Sequence, residues 1–147
     1  MNKPFKIAII GGTGKVGRRI ATKALESGYQ VRMLVRDTKK VVIRDNGIKI
    51  VEGNVLNPKD IQKTLEGCQV VINTFGQSLK GKQIYSSVTE TILEKMAELQ
   101  IERYIGVTGG SLTIDGDKKT LINKVGTRIF EIIFSNMMKD RSESGIF

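Results

Sequence analysis

The sequence predicts a doubly wound α/β fold, a parallel sheet in the strand order 3-2-1-4-5 with helices on its faces. Three observations predict it. Short, nearly continuous apolar runs alternate with helical patterns along the chain, as βαβ units with buried strands require. The first run ends at a glycine-rich loop, and an amphipathic helix begins directly after it. No internal repeat, low-complexity tract or linker divides the 147 residues, a length suited to one domain with one core.

The elements follow in order. Residues Phe5 to Ile10 (FKIAII) form the first apolar run and stop at two glycines, as a strand buried on both faces should. Val16, Ile20, Ala21, Ala24 and Leu25 then fall on one helical stripe, which Gly28 is placed to end. Gln30 to Val35 (QVRMLV) is the second strand, and the polar, basic stretch 37–47 has no assigned structure. Ile48 to Glu52 is the third strand; Pro58 opens a helix that runs to about Glu66, and Gly67 stops it. Val70 to Thr74 is the fourth strand, followed by a Gly/Lys loop over 75–82. Ile84, Val88, Ile92 and Met96, four apart, mark a long helix, and Arg103 to Thr108 (RYIGVT) is the fifth strand. A polar loop over 109–119 leads to a very apolar helical pattern from about Thr120 to Asp140.

Composition narrows the chemistry. The chain has no histidine and a single cysteine, Cys68. Histidine-dependent catalysis is therefore excluded, a zinc site is disfavoured, and no intrachain disulfide can form. The start leads straight into a needed strand, and no apolar run is long enough to cross a bilayer, so a cytoplasmic protein without membrane partners is expected. Cys68 reads as a small core residue next to a buried strand rather than a redox thiol.

The net charge of +9 is unevenly placed. Residues 1–49 carry 12 Lys and Arg against 3 Asp and Glu, whereas residues 50–147 carry 12 of each. The excess lies in the third of the chain that holds the glycine loop. It reads either as a solvated basic face or as a field for a polyanionic ligand. A nucleic-acid partner is disfavoured, because aromatic residues are few and no nucleic-acid-binding motif is present.

The glycine loop is Gly11-Gly12-Thr13-Gly14-Lys15-Val16-Gly17. Glycines 11, 14 and 17 have the G-x-x-G-x-x-G spacing between a strand and a helix, which is the context of a Rossmann-type dinucleotide site. Gly11 permits the turn, Gly14 lets the backbone approach a pyrophosphate, and Gly17 lets the helix pack on the sheet. The helix N-terminus then faces the phosphates with free N–H groups. At the end of the second strand an acid favours NAD, and an arginine favours the 2′-phosphate of NADP. The strand ends Leu34-Val35-Arg36-Asp37. Arg36 is assigned to the 2′-phosphate, with Lys15 or Thr38 assisting, so NADP(H) is expected in preference to NAD(H). Asp37, one residue on, is the alternative and would serve NAD.

The glycine loop, the arginine-ended strand VRMLVR, the segment Glu52-Gly53-Asn54-Val55-Leu56 and the segment Gly67-Cys68-Gln69-Val70-Val71-Ile72 resemble the atypical short-chain dehydrogenase/reductases. Among them the chain is most similar to the NAD(P)H-binding group with biliverdin IXβ/flavin reductases and NmrA-like proteins. The resemblance covers nearly the whole chain and implies further cofactor contacts. Asn54, with Val55 beside it, stands where the family places an acid near the adenine; an ordinary turn role is the alternative. Asn73, Thr74, Phe75 and Gly76 map to the loop that borders ribose and nicotinamide, although Asn73 and Thr74 could instead satisfy backbone groups at the strand end. Thr108 and Ser111 would lie near the nicotinamide, as weak catalytic candidates only.

Two departures from the family pattern shape the functional expectation. The Tyr-x-x-x-Lys pair of the classical members is absent: Tyr29, Tyr85 and Tyr104 are followed four residues on by Met33, Thr89 and Thr108. The chain also stops at Phe147, short of the family's next strand, so residues 1–147 are expected to be a single NAD(P)-binding domain without the C-terminal strands, either as a truncated sequence or as a protein that keeps only the cofactor half. The implied function is a reductase that passes hydride from NADPH to a flat small-molecule acceptor (flavin, quinone or tetrapyrrole) by positioning. The alternative is a non-catalytic, NmrA-like NADP(H)-sensing module. An uncovered apolar stripe on the last helix would invite a homodimer, while core packing in a monomer is the commoner use of such a stripe.

Overall fold

Among the described residues, five parallel strands form the sheet: β1 (Lys6–Ile10), β2 (Gln30–Val35), β3 (Ile48–Glu52), β4 (Val70–Asn73) and β5 (Arg103–Gly106). They pair in parallel, as the alternation of runs and helices requires, and in the expected order β3-β2-β1-β4-β5. Register places Ile10 opposite both Leu34 of β2 and Asn73 of β4, so the loops that leave β1, β2 and β4 come together at one edge. The computed structural model describes residues 4–76 and 84–107. Thr108, Ser111, the 109–119 loop, the apolar pattern from Thr120 with its dimer expectation, and most of the 75–82 loop lie outside the described residues.

The sheet separates two apolar layers. On one face α1 (Lys15–Glu26) covers Ile7, Ile9, Val31, Met33, Val35 and Ile72. On the other, α2 (Pro58–Leu65) and α3 (Tyr85–Glu98) cover Ala8, Ile10, Leu34, Val51 and Val71. Alternate residues of β1, β2, β3 and β4 supply the two layers, which is why the central strands β1 and β4 read as nearly continuous apolar runs.

Capping chemistry sets the helix ends. After α1, Gly28 takes φ +80°; its N–H donates to Leu25 O (2.9 Å) and that of Tyr29 to Ala24 O (3.0 Å), the two bonds of a Schellman stop. Pro58 opens α2, and Asn57 Oδ1 accepts from the Lys59 N–H at 3.1 Å. At the far end of α2 the Arg32 guanidinium, reaching from β2, donates to the Glu66 carbonyl. Helix α3 ends in the same Schellman pattern as α1, but with Gln100 at φ 56° in the left-handed position: Gln100 N–H donates to Ala97 O and Ile101 N–H to Met96 O.

Four details differ from the sequence reading. Val16 was placed on the apolar stripe of α1, but it is 47% exposed; the buried face is Gly17, Ala21 and Ala24, because the helix sits so close to the glycine loop that small residues fill the contact. Phe5 lies outside β1 and packs on Tyr29, ring centroids 5.5 Å apart. The stretch 37–47 contains a 3-10 turn at Thr38–Lys40, with Val41 and Ile43 packed on the α1-side core and Val42 exposed. Helix α2 and strands β4 and β5 are each shorter at the C-terminal end than read from sequence.

Candidate dinucleotide-binding site

The loop after β1 turns sharply. Gly11 has φ +82°, and a Cβ there would fall 2.8 Å from Phe75 N and Thr74 C. Only glycine accepts both the conformation and the crossing of the β4 loop. The Gly14 N–H closes the turn on Gly11 O at 3.1 Å. A Cβ on Gly17 would lie 2.5 Å from Gly11 O and 2.8 Å from Thr74 Oγ1, so α1 is seated directly on the turn. A Cβ on Gly12 would overlap the Met33 sulfur at 2.0 Å. Met33, buried in β2, thus forms the floor of the loop, a role no sequence motif signals.

Gly14 differs. Its backbone, φ −70° and ψ 165°, suits any residue, and a Cβ there would meet only Gly11 O at 3.4 Å, an ordinary contact. No packing demand within the described residues explains this glycine. It caps α1 without a side-chain hydrogen bond, and no acid lies in the first turn. The open N-terminus and its dipole are what an incoming phosphate needs. Thr13 is half-buried, and Lys15 and Val16 are exposed beside it. On the outer side of α1, Lys15, Arg18 and Arg19 line a groove against Val42 and Ile43.

At the end of β2, Arg36 is exposed and makes no hydrogen bond or ion pair among the described residues. Asp37 is committed: it caps the 3-10 turn, with Oδ1 accepting from the Lys39 N–H at 3.0 Å. Of the two residues competing for the ribose, the cation is the free one. Past β3, Asn54 is exposed and its Oδ1 accepts from the Leu56 N–H at 3.0 Å, which is the turn role. Its amide nitrogen is left over. Val55 turns its side chain into the core under α2.

The β4 loop is internally tied. Asn73 is fully buried; its Nδ2 donates to Tyr104 Oη (3.0 Å) and its Oδ1 accepts from the Phe75 N–H (3.0 Å). Thr74 Oγ1 donates to the carbonyls of Ile10 and Gly11, at 2.9 and 3.1 Å. Both side chains serve the protein, so what they offer a ligand is the position of the backbone at Thr74, Phe75 and Gly76. Phe75 packs partly into the core, and Gly76 is exposed, with no described residue within 4 Å of where its Cβ would lie. Burial, against the opposing hydrogen bond from Asn73, pushes the Tyr104 phenol up to about 12, which holds it protonated as a strut. Cys68 is buried, its thiol 3.6 Å from Thr64 O, and burial raises it to about 11 despite nearby Arg32 and Lys6. The core role read from sequence stands. No cluster of metal-ligating side chains occurs among the described residues, and no described helix is long and apolar enough to cross a membrane.

A glycine turn at the C-terminal edge of a parallel 3-2-1-4-5 sheet, open at a helix N-terminus and flanked by a free arginine, defines a dinucleotide-binding Rossmann domain. The chain belongs to the NAD(P)H-binding family, whose model matches residues 11–141, in keeping with the resemblance to atypical short-chain dehydrogenase/reductases. It is 32% identical over 113 residues to the photosystem II assembly factor Ycf39 of Cyanophora paradoxa, covering 69% of this chain and 33% of that protein. It is 30% identical over 119 residues to the uncharacterized protein YwnB of Bacillus subtilis, covering 79% and 53%. The chain therefore spans between a third and about half the length of these relatives. A short-chain dehydrogenase/reductase of Veillonella parvula, solved in complex with NADP, superposes with a TM-score of 0.74 at 18% identity, covering 97% of this chain and 64% of that one, a likeness of fold.

Proposed function

We propose that the chain binds NADP(H) in preference to NAD(H) and delivers hydride to a flat acceptor such as a flavin, quinone or tetrapyrrole. The observation that carries the reading is Gly14: a glycine without an internal packing reason, at an uncapped helix N-terminus. The backbone N–H groups of Thr13, Lys15 and Val16 hold the pyrophosphate, with Gly14 admitting it closely and Gly11, Gly12 and Gly17 shaping the turn. Arg36 grips the 2′-phosphate, supported by Asp37 being occupied as a cap. Asn54, with the backbone at Val55, walls the adenine, and the backbone of Thr74 to Gly76 borders ribose and nicotinamide, held there by Asn73 and Thr74. The reduced nicotinamide supplies the hydride when bound. With Tyr104 locked as a strut, the chain's contribution is orientation, and water delivers the proton. A lone buried thiol accords with work in the cytoplasm.

A second reading, an NADP(H)-binding regulatory module, is favoured by relatives that include assembly factors. Two measurements separate them. Thermal unfolding with NADP⁺, NAD⁺ or neither should show a larger rise with NADP⁺, which Arg36→Ala abolishes. Oxidation of NADPH in the presence of FMN or dichlorophenolindophenol supports the reductase; binding without oxidation supports the module. No midpoint shift with either nucleotide in a cooperatively folding protein overturns both.

A further inference from the structure

The loop after β3 is held from one side by an acid that the sequence reading did not single out. The Gly53 N–H donates to Val35 O at 2.9 Å, which places this loop against the end of β2, one residue before Arg36. A Cβ on Gly53 would fall 2.6 Å from Asp60 Cγ, so the Asp60 carboxyl lies directly over the Gly53 backbone. Asp60 Oδ2 accepts from the Asn54 N–H at 2.9 Å. Asp60 itself is the third residue of α2, whose start is fixed by Pro58 and by the Asn57 cap. The remaining bonds are internal to the turn: Leu56 N–H to Asn54 Oδ1 and Asn57 N–H to Asn54 O. Asp60 is thus the side-chain strut between helix α2 and the exposed end of the turn.

In a sheet of this order the glycine loop takes the pyrophosphate and the end of β2 takes the adenosine ribose. The turn 53–57, lying against that end, is the neighbouring wall. We propose that Asp60 is a positioning residue of the cofactor site: its carboxylate fixes the Gly53–Asn54 turn beside Arg36, so that the adenosine half meets a preformed surface. The inference rests on the NADP(H)-binding reading above. Preorganisation of this kind appears as affinity, because a loop already ordered is not ordered again on binding. Asparagine can reproduce the accepting oxygen without the charge, and alanine cannot.

The test measures Kd for NADP⁺ and for adenosine 2′,5′-bisphosphate, which carries only the adenine half, with wild type, Asp60→Ala and Asp60→Asn at a temperature where all are folded. Asp60→Ala should weaken both ligands by about tenfold, the scale of one charge-assisted hydrogen bond. Asp60→Asn should stay within about threefold of wild type. Amide exchange at Asn54 in the unliganded protein should quicken in Asp60→Ala and be restored in Asp60→Asn. Both variants lose a charge at the α2 N-terminus, so a purely structural role lowers both melting points without separating their affinities. Wild-type affinity in Asp60→Ala overturns the inference while leaving the functional reading intact. Equal losses in both variants overturn it too, since the effect would follow charge. A wild type that binds neither ligand removes the functional reading and this inference with it.

Discussion

Gly14→Ala separates the two kinds of glycine in the loop. At this position φ −70° and ψ 165° are open to alanine, and among the described residues the added Cβ meets only Gly11 O, at 3.4 Å. Alanine is a poorer N-cap than glycine by about 0.5–1 kcal/mol, and it removes unfolded-state entropy worth about 0.4–1 kcal/mol. The two offset, so the melting point should move by no more than about 3 °C. Gly17→Ala instead drives a Cβ to 2.5 Å from Gly11 O and 2.7 Å from Gly12 Cα. Those are backbone atoms, and relief requires moving α1 off the turn, a cost of about 1–3 kcal/mol. Binding should show the reverse ranking per unit of stability lost. A methyl at Gly14 stands where the phosphate approaches the helix N-terminus and costs at least one charge-assisted bond, about 1.5–3 kcal/mol, or roughly 10- to 100-fold in Kd. Thermal unfolding of the unliganded variants and fluorescence titration with NADPH give both numbers. Gly14→Ala binding within about threefold of wild type, or unfolding as early as Gly17→Ala, would refute the argument that this glycine exists for a ligand.

Other perturbations test the supports of the site. Gln100→Gly should stabilise the fold by about 1 kcal/mol, because Gln100 occupies the left-handed position at the end of α3; urea unfolding should show a higher midpoint at unchanged slope. Tyr104→Phe leaves Asn73 Nδ2 buried without its partner and should cost about 1–3 kcal/mol, with faster amide exchange at Phe75 only if the loss spreads along the Asn73 side chain. Cys68 is raised in the fold from 9.0 to about 11, so above pH 9 the unfolded chain releases its thiol proton first and stability falls as pH climbs toward 11. Cys68→Ala should flatten that part of the stability–pH curve, and an unchanged slope would contradict the burial. The same thiol should resist alkylation in the native protein at pH 8 and react on unfolding.

Parts of the fold and the site were legible in the chain because they depend on local chemistry. Strands buried on both faces must be largely apolar, so β1 and β4 could be read from nearly continuous runs, and β2 and β3 from apolar runs broken by one or two polar residues. Helix ends announced themselves where Pro58 and Gly28 supply the cap, and not where Gln100 adopts the same left-handed turn as a non-glycine residue. The exposure of Val16 was illegible, since periodicity marks a stripe but not how closely a helix approaches its sheet. Polar residues at strand ends were the least legible. Sequence ranked Arg36 ahead of Asp37 by residue type alone, and offered Asn73 and Thr74 together for ligand contact. The fold distinguishes them by partner: Asp37 caps a turn, Thr74 reaches carbonyls 63 and 64 residues away, and Asn73 meets Tyr104 31 residues on, whereas Arg36 meets nothing described. Sequence alone therefore determined the strands, the helices and the glycine turn, which follow from periodicity and backbone freedom within a few residues, and the glycine loop pointed to the class whose sheet order the fold has. Only the tertiary structure decided which polar groups remain free for a ligand, because a hydrogen bond across the sheet edge joins residues whose meeting no local pattern records.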